Sequence, residues 1–377
     1  MNVIVLGENH NNALGLIRSL GEKGHIVYLL LFKGMVNYVA KSRYVKRTIL
    51  VNTKEELSTQ IISICGTLDS RPVLFCTSDN DASYVNDHYD ELSQHCFLEG
   101  GIGVNKYREK DISNQLAIEC GFLLPKTWII NNKDVSYVNM TYPVIVKANN
   151  SIHGGKKFLQ KIESPAKLEE VVSEIDEQFF PIQVQEYIEK EYELMILGCS
   201  LSEGSEIVAS VAQKKIRFYP NEYNAGSFSK SLLIDSDTEL VSLRSKIKSY
   251  MGNIHYEGLF STEFVYANGS YYFLEVNLRN DGTSYLSTSC GINLPNLLCR
   301  YFEDKTIGII GDYSPGYYMV NISDFGNVLK KRVSLCHWLK DFHKATCYSH
   351  YNKKDILPYL FFIVSFILEK CKRLICN

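Results

Sequence analysis

The order of apolar and polar positions over the first hundred residues predicts strands that alternate with helices. Continuously apolar runs predict strands at Val3–Leu6, Ile26–Phe32, Ile49–Val51 and Val73–Cys76. Amphipathic stretches between these runs predict helices at Asn12–Lys23 and around Lys54–Cys65. Because strands this apolar cannot face water, the pattern predicts an α/β unit whose parallel sheet is covered by helices on both faces.

From Lys110 onward the pattern changes to an α+β arrangement with mostly antiparallel strands. A helix is predicted at Lys110–Cys120, another from the N-cap at Ser164 to about Gln178, and a third near Glu239–Met251. Apolar or alternating runs predict strands at Thr127–Ile130, Val144–Lys147, Ile182–Ile188, Glu193–Cys199, Ile207–Ile216, Gly258–Tyr266 and Tyr271–Asn277. The dipeptide Asn268-Gly269 predicts a tight hairpin turn between the last two strands.

Composition narrows the class of protein. The chain has 377 residues, of which 45% are hydrophobic and 22% charged, which is typical of a globular protein of two or three domains. A formal charge of −2 gives no reason to expect nucleic-acid binding. The eleven cysteines contain no CxxC pair, and the first strand begins without a basic, apolar leader. We therefore expect reduced thiols in the cytoplasm and no signal peptide.

The C-terminal segment Ile356–Leu368 is almost wholly apolar, and Lys370, Lys372 and Arg373 follow it. Thirteen residues are too few to cross a bilayer, which needs about 20. The first interpretation is a helix packed on the protein body. The alternatives are a helix lying in the membrane interface with basic anchors, and a homodimer contact.

The segment after the first strand, Gly7–Gly15, occupies the place of a dinucleotide-binding loop. It lacks the GxGxxG spacing, and Glu8 would repel a pyrophosphate at that point. NAD or FAD binding is therefore not favoured, although the loop can still line a substrate pocket.

A strand lysine and a glycine-containing loop predict phosphate binding. Lys147 ends the apolar strand that begins after Pro143, and the following loop contains Gly154, Gly155 and Lys157. Backbone N–H groups of such a loop, together with lysines, hold phosphate oxygens. The competing interpretation is a strand-terminal lysine that simply reaches solvent, and the loop does not match GxxxxGK[ST].

Two carboxylates and an amide on paired strands predict a metal site. Glu275 and Asn277 share one face of a strand, because side chains alternate with period two, and the Asn268-Gly269 hairpin brings Glu263 to the same face. Oxygen ligands of this kind suit Mg²⁺. Arg279 continues the same face, where it could neutralise a transferring phosphoryl group. The alternative is an ordinary polar face of an antiparallel sheet.

Two further polar clusters are candidates. The segment Gln185–Ile188 precedes Glu189, Glu191 and Glu193, which suits either a solvated edge strand or a hinge that offers backbone groups to adenine and a carboxylate to ribose. The cluster of Lys214, Lys215 and Arg217 suits either a solvated strand end or a clamp for phosphate or a substrate carboxylate.

With these residues in view, residues 1 to about 300 resemble the ATP-grasp superfamily, in its carboxylate–amine ligase branch. The resemblance implies a pre-ATP-grasp, Rossmann-like α/β domain with a parallel sheet, followed by two α+β ATP-grasp lobes. The expected domains are 1–104 for the first domain, 105–188 for a small lobe with a flap, 189–300 for a large lobe with the metal site, and 301–377 for a C-terminal extension. That extension is only weakly similar to D-aspartate-ligase-like proteins of bacterial cell-surface biosynthesis.

The resemblance also implies a role for each candidate residue. Lys110 and Lys147 would contact phosphates, and Gly154, Gly155 and Lys157 would form the flap. Glu186, Tyr187 and Ile188 would form the adenine hinge, and Glu191 or Glu193 would bind ribose. The implied metal ligands are Glu263, Glu275 and Asn277. The implied catalytic residues are Arg279, Lys215 and Arg217.

The implied function is an ATP-dependent ligase that forms an amide through an acylphosphate and releases ADP and phosphate. ATP and Mg²⁺, or Mn²⁺ in its place, would be required. The expected partners are a small-molecule carboxylate and an amine, with no nucleic acid. The expected location is the cytoplasm, including the inner face of the membrane if the C-terminal segment binds it. Two alternatives stay open: a non-catalytic ATP-binding regulatory module, and a phosphotransferase that stops at the phosphorylated product.

Overall fold

A computed structural model describes residues 1–8, 10–34, 38–135, 139–150, 158–219, 225–306 and 313–375. The described chain is built on three β-sheets that follow one another along the sequence. This arrangement confirms the predicted parallel α/β unit followed by mainly antiparallel sheets.

The N-terminal sheet has five parallel strands in the order β3-β2-β1-β4-β5. Its strands are β1 (Asn2–Leu6), β2 (Ile26–Phe32), β3 (Val45–Val51), β4 (Val73–Cys76) and β5 (Phe97–Leu98). Its helices are α1 (Asn11–Gly21), α2 (Leu57–Cys65), α3 (Asp79–Asp87) and α4 (Tyr89–Leu92). Apolar cores lie on both faces of the sheet, one with α1 and one with α2 and α3, as the continuous apolar runs predicted.

The second sheet has four antiparallel strands in the order β6-β9-β7-β8. Its elements are β6 (Thr127–Ile130), β7 (Val144–Ala148), β8 (Gln160–Ile162), α6 (Pro165–Glu174) and β9 (Ile182–Glu186). The Ser164 side chain caps α6 by accepting a hydrogen bond from the Lys167 N–H, so the predicted N-cap is confirmed. Leu168, Val171 and Val172 of α6 pack on the sheet.

The third sheet has seven strands in the order β14-β13-β10-β11-β12-β15-β16. Its strands are β10 (Tyr192–Leu201), β11 (Glu206–Phe218), β12 (Gly226–Leu233), β13 (Gly258–Ala267), β14 (Ser270–Asn277), β15 (Tyr317–Met319) and β16 (Cys347–Tyr348). Its helices are α5 (Lys110–Glu119), α7 (Thr238–Asn253), α8 (Tyr285–Ser289) and α9 (Leu294–Asp304). Asn268 and Gly269 both adopt positive φ, as the predicted tight turn between β13 and β14 requires.

The sheets are joined by packing that the local pattern does not predict. Leu116 and Ala117 of α5 pack in the core of the third sheet, although α5 precedes the second sheet in sequence. Helix α9 packs between β10 and the N-terminal sheet. The expected divisions near residues 104, 188 and 300 remain our proposal.

The C-terminal segment contains three further helices: α10 (Asn321–Leu329), α11 (Leu335–Lys344) and α12 (Leu357–Ile375). It is not an independent extension, because β15 and β16 complete the edge of the third sheet. Helix α12 packs on the protein body through Phe362, which contacts His350 and Tyr38, as the first interpretation expected. Most of its large apolar side chains up to Leu368 are nevertheless exposed. Among the described residues, no helix has the length and apolar character needed to span a bilayer.

Candidate functional site

A cavity of about 420 Å³ lies where the second and third sheets meet α3 of the N-terminal unit. Ten of the predicted site residues line it: Lys110, Lys147, Glu186, Tyr187, Ile188, Glu193, Glu263, Glu275, Asn277 and Arg279. The apolar side chains of Ile145, Leu159, Val265 and Leu274 also line it. The cavity therefore combines apolar walls with convergent charged groups of both signs, which suits a small molecule that has an apolar part and a charged part.

Lys147 is nearly buried at the end of β7, and its ammonium donates a hydrogen bond of 3.1 Å to the Gln185 Oε1 on the neighbouring strand. The Gln185 amide in turn donates to the Thr127 Oγ1, which orients it. Burial, reinforced by the positive charge of Lys110 and opposed by Glu275, lowers the pKa of Lys147 to about 7. The charged form of Lys147 is therefore disfavoured in the ligand-free chain, and a negative ligand would stabilise it.

Two carboxylates face each other across β13 and β14. Glu263 is the direct cross-strand neighbour of Glu275, and Asn277 is paired with Ser261 in the same register. The Lys110 Nζ lies 3.3 Å from a Glu275 oxygen. Burial and the nearby Glu275 raise the pKa of Glu263, although Lys215 opposes this rise. The predicted face is thus formed, and its negative charge is balanced by lysines.

The side-chain oxygens on this face are of the type that binds a hard divalent cation. Glu263, Glu275 and Asn277 supply two carboxylates and an amide oxygen, the donor types that Mg²⁺ prefers. Among the described residues there is no group of three or more His, Cys, Asp or Glu side chains that could hold a metal by itself. A cation here would therefore need oxygens from a bound ligand or water to complete its coordination.

Lys215 bridges two of the acidic residues from β11. Its ammonium lies 2.8 Å from Glu193 and 3.0 Å from Glu263. Burial acts to lower the pKa of Lys215, but the charges of Glu263 and Glu193 raise it overall. Lys215 therefore stays protonated and places a fixed positive charge beside the carboxylate pair.

Arg279 follows β14 and is held by the N-terminal unit. Its guanidinium donates to the Asp79 carboxylate at 2.9 Å and to the Asn280 carbonyl at 3.1 Å. Its buried Nε has no hydrogen-bond partner among the described residues. Asp79, at the first turn of α3, also pairs with Arg108 at 3.1 Å. Arg279 also lines the cavity, so this pairing holds a positive charge at the cavity wall.

Asp79 and Asp281 also line the cavity, although neither was among the residues predicted individually for the site. The available signal for Asp79 was its position three residues after the apolar run of β4, because ligands bind beyond the carboxyl ends of parallel strands. Asp281 lies two residues after Arg279, and its carboxylate accepts hydrogen bonds from the backbone and hydroxyl of Thr283.

The predicted hinge lies at the end of β9. The Tyr187 N–H donates to the Pro143 carbonyl at 3.1 Å, whereas the Ile188 N–H has no hydrogen-bond partner among the described residues. Of the two carboxylates predicted for ribose, Glu193 is buried and lines the cavity, while Glu191 is exposed and does not. The geometry therefore favours Glu193 of the two.

The remaining predicted residues lie elsewhere. Arg217 does not line the cavity: it pairs with Asp324 at 2.7 Å and Asp341 at 2.5 Å, which ties β11 to α10 and α11. The expectation that it clamps a ligand is corrected by this placement, because two carboxylates already neutralise it. Lys214 lies over the ring of Tyr192. Gly154, Gly155 and Lys157 of the predicted flap lie outside the described residues.

Comparison with known proteins places the chain in a family. Residues 107–302 match the profile of the RimK-like ATP-grasp domain. No curated protein sequence matches the chain significantly.

Solved structures show the same fold at low sequence identity. An L-amino acid ligase from Bacillus licheniformis superposes with a TM-score of 0.65 and 15% identity, covering 84% of this chain and 78% of that one. The ADP complex of N5-carboxyaminoimidazole ribonucleotide synthetase has a TM-score of 0.67 and 15% identity over 88% of this chain and 84% of that one. Biotin carboxylase from Campylobacter jejuni has a TM-score of 0.65 and 15% identity, with coverage of 83% and 74%.

The domain match covers more than half of the chain, and the cavity lies between the lobes that this domain provides. The chain belongs to the RimK-like ATP-grasp family, whose members are ATP-dependent, ADP-releasing carbon–nitrogen ligases.

Proposed function

We propose that this protein forms an amide between a small-molecule carboxylate and an amine through an acylphosphate intermediate. The observation that carries the proposal is the cavity itself, where Lys147, the Glu263–Glu275 pair and Arg279 converge. Apolar walls, a buried lysine, paired carboxylates and an oriented arginine are together what an adenine ring, its phosphates and a cation require.

The residues that line the cavity suggest where each part of the nucleotide would bind. The backbone of Glu186 and Ile188 would bind adenine between the apolar walls, and Glu193 would bind ribose. Lys147 would contact the phosphates, with Lys110 next to it. In the ligand-free chain the Lys147 ammonium donates to the neutral Gln185 side chain. Phosphate oxygens would stabilise this buried ammonium more strongly than Gln185 does, because they are negatively charged.

Glu263, Glu275 and Asn277 would hold Mg²⁺, or Mn²⁺ in its place. When bound, the ion would neutralise phosphate charge and so make the terminal phosphorus more open to attack. Lys215 and Lys110 occupy positions beside these carboxylates, so they reduce the repulsion between the two acids in the ligand-free chain. They would also reduce the repulsion between these carboxylates and the phosphates of a bound nucleotide.

The proposed reaction has two steps. A substrate carboxylate oxygen attacks the γ-phosphorus of ATP, which forms an acylphosphate and releases ADP. The amine then attacks the acyl carbon, forms the amide and releases phosphate with loss of a proton. Arg279, held by Asp79, would stabilise the charge on the phosphoryl group in flight.

The substrates would bind beyond the phosphate end of the cavity, near Asp79 and Asp281, where the N-terminal unit meets the third sheet. We propose that one of the two substrates is an amino acid or a precursor of a cell-surface molecule. Location in the cytoplasm is part of the same proposal. A non-catalytic ATP-binding module or a phosphotransferase remains the alternative, and the following experiment separates the three.

We expect ADP release that depends on both a carboxylate and an amine. The measurement is a coupled ADP assay over a matrix of amino acids, peptides and sugar acids crossed with amines, followed by mass spectrometry of the product. Hydroxylamine in place of the amine should trap the acylphosphate as a hydroxamate. ADP release with a phosphorylated product and no hydroxamate would identify a phosphotransferase, and ATP binding without ADP release over the whole matrix would favour the regulatory module.

The lowered pKa of Lys147 predicts that ATP binding takes up a proton. Since this pKa is about 7, most of the lysine is neutral at pH 8, and binding to phosphate should protonate it. The expected uptake at pH 8 is roughly nine-tenths of a proton per ATP. Calorimetric titration of ATP in buffers with different ionisation enthalpies measures this number.

Lys147→Arg is the control for the proton count, because a guanidinium stays charged at pH 8 and should abolish the uptake while ATP still binds. An equal uptake in the wild type and in Lys147→Arg would show that another group titrates, and would remove Lys147 from the phosphate site.

A further inference from the structure

Helix α12 carries a continuous apolar stripe that nothing in the described chain covers. Its members follow the spacing of one helix face and are each 45–57% exposed: Leu357, Leu360, Phe361, Val364, Ile367 and Leu368. Globular proteins expose single apolar side chains freely, but a contiguous stripe of large ones usually marks an interaction surface. None of the stripe residues lines the cavity of the ATP-grasp site, so the stripe has a different role.

The opposite side of the helix is fixed to the protein body. The Phe362 ring stacks on His350 at 3.9 Å between ring centroids and meets Tyr38 edge-on at 5.2 Å. Just before the helix, Asp355 is buried and pairs with Arg18 at 3.0 Å. The helix therefore does not need its outer stripe for attachment, and the stripe faces away from the body.

A basic rim lies beside the N-terminal end of the stripe. The Lys41 ammonium lies 4.9 Å from the centre of the exposed Phe361 ring, and the Arg43 guanidinium donates to the Lys354 carbonyl at 3.3 Å. Lys353 and Lys354 are exposed in the same turn. Asp355, the carboxylate that directly precedes the helix, is already neutralised by Arg18. In sequence, Lys370, Lys372 and Arg373 continue the basic character beyond the stripe.

We propose that α12 lies in the plane of an anionic membrane surface, with its apolar stripe in the acyl boundary and the rim on the lipid headgroups. An apolar stripe flanked by lysine and arginine is the pattern of an interfacial helix, and cationic residues at its edge add attraction to anionic lipid. A second copy of this chain is the less favourable partner, because pairing two stripes would bring two basic rims together. The ATP-grasp reaction is independent of this surface, so either proposal can fail alone.

The test is sedimentation of the full chain with vesicles of 30% phosphatidylglycerol in phosphatidylcholine, compared with pure phosphatidylcholine. We expect at least tenfold stronger partitioning to the anionic vesicles, weakened at 0.5 M salt. Leu360→Gln/Val364→Gln should reduce partitioning by tenfold or more, because two apolar anchors are lost while the charge and helix propensity are kept. Lys353→Gln/Lys354→Gln should reduce the preference for anionic vesicles.

The matched control is Ile102→Gln/Ile118→Gln, which changes two exposed apolar residues outside α12 and should partition like the wild type. Circular dichroism and ADP release should be unchanged in all three variants without vesicles. Partitioning of Leu360→Gln/Val364→Gln equal to the wild type would overturn the proposal. A dimer detected by light scattering that becomes monomeric in this variant, with no vesicle binding by the wild type, would instead assign the stripe to a second copy.

Discussion

Arg279→Ala is expected to lower the rate of ADP release by on the order of 10³-fold, while the ATP dissociation constant changes only a few-fold. The guanidinium is already oriented by Asp79 at 2.9 Å and retains an unpartnered, buried Nε. The positive charge of Arg279 would stabilise the phosphoryl group most strongly while that group is leaving ADP. Removing the guanidinium should therefore raise the free energy of the transition state more than it weakens ATP binding. Calorimetric titration of ATP and ADP-release kinetics on the same preparation measure the two effects.

Lys147→Ala provides the contrasting result. Its contact with phosphate would exist already in the bound ground state, so ATP affinity should fall on the order of 10²-fold. Arg244→Ala is the matched control, because Arg244 lies on α7, pairs with Asp235 and does not line the cavity. This variant should change neither quantity. If Arg279→Ala loses ATP affinity and turnover in equal proportion, Arg279 anchors the nucleotide and the transition-state role is wrong.

Glu275→Gln is expected to reduce turnover on the order of 10²-fold or more without unfolding the protein. The substitution keeps the shape of a side chain that is partly exposed to the cavity, and it removes one of the two facing carboxylates. A weaker cation site should also raise the magnesium concentration needed for half-maximal activity. Activity as a function of magnesium, together with a thermal melt, separates the loss of metal affinity from instability.

Glu170→Gln is the matched control for this loss of charge. Glu170 lies exposed on α6 beside Lys167, so its substitution should leave the magnesium dependence unchanged. A wild-type magnesium dependence in Glu275→Gln would remove Glu275 from the proposed metal ligands. If that variant melted much earlier than the wild type, Glu275→Asp would provide the comparison with the charge retained.

Local pattern was enough to predict most of the secondary structure. The strands β1, β2 and β4 follow from continuous apolar runs, and the Asn268-Gly269 turn follows from residues that tolerate positive φ. Helix and strand ends were less accurate: α6 ends at Glu174 rather than near Gln178, and β9 ends at Glu186 rather than Ile188. These ends depend on capping and on neighbouring strands, which a periodic pattern does not contain.

In the candidate site, too, relations between residues close in sequence were predicted and relations between distant residues were not. Period two along β14 was sufficient to group Glu275, Asn277 and Arg279, because that relation is local. Asp79 was missed, because it reaches Arg279 across 200 residues of sequence. Arg217 was misplaced for the same reason: the carboxylates that neutralise it, Asp324 and Asp341, lie in a segment whose packing on β11 the sequence does not reveal.

The sequence by itself determined the class of fold, the lysine, carboxylate and arginine chemistry, and the apolar character of the C-terminal helix. Each of these depends on residue type and on short-range periodicity, which any strand or helix of the chain must obey. Only the tertiary structure decided that Glu193 rather than Glu191 lines the cavity, that Lys215 bridges Glu193 and Glu263, and that the α12 stripe is left uncovered. These outcomes depend on which distant elements pack together, since burial and charge pairing are set by neighbours in space.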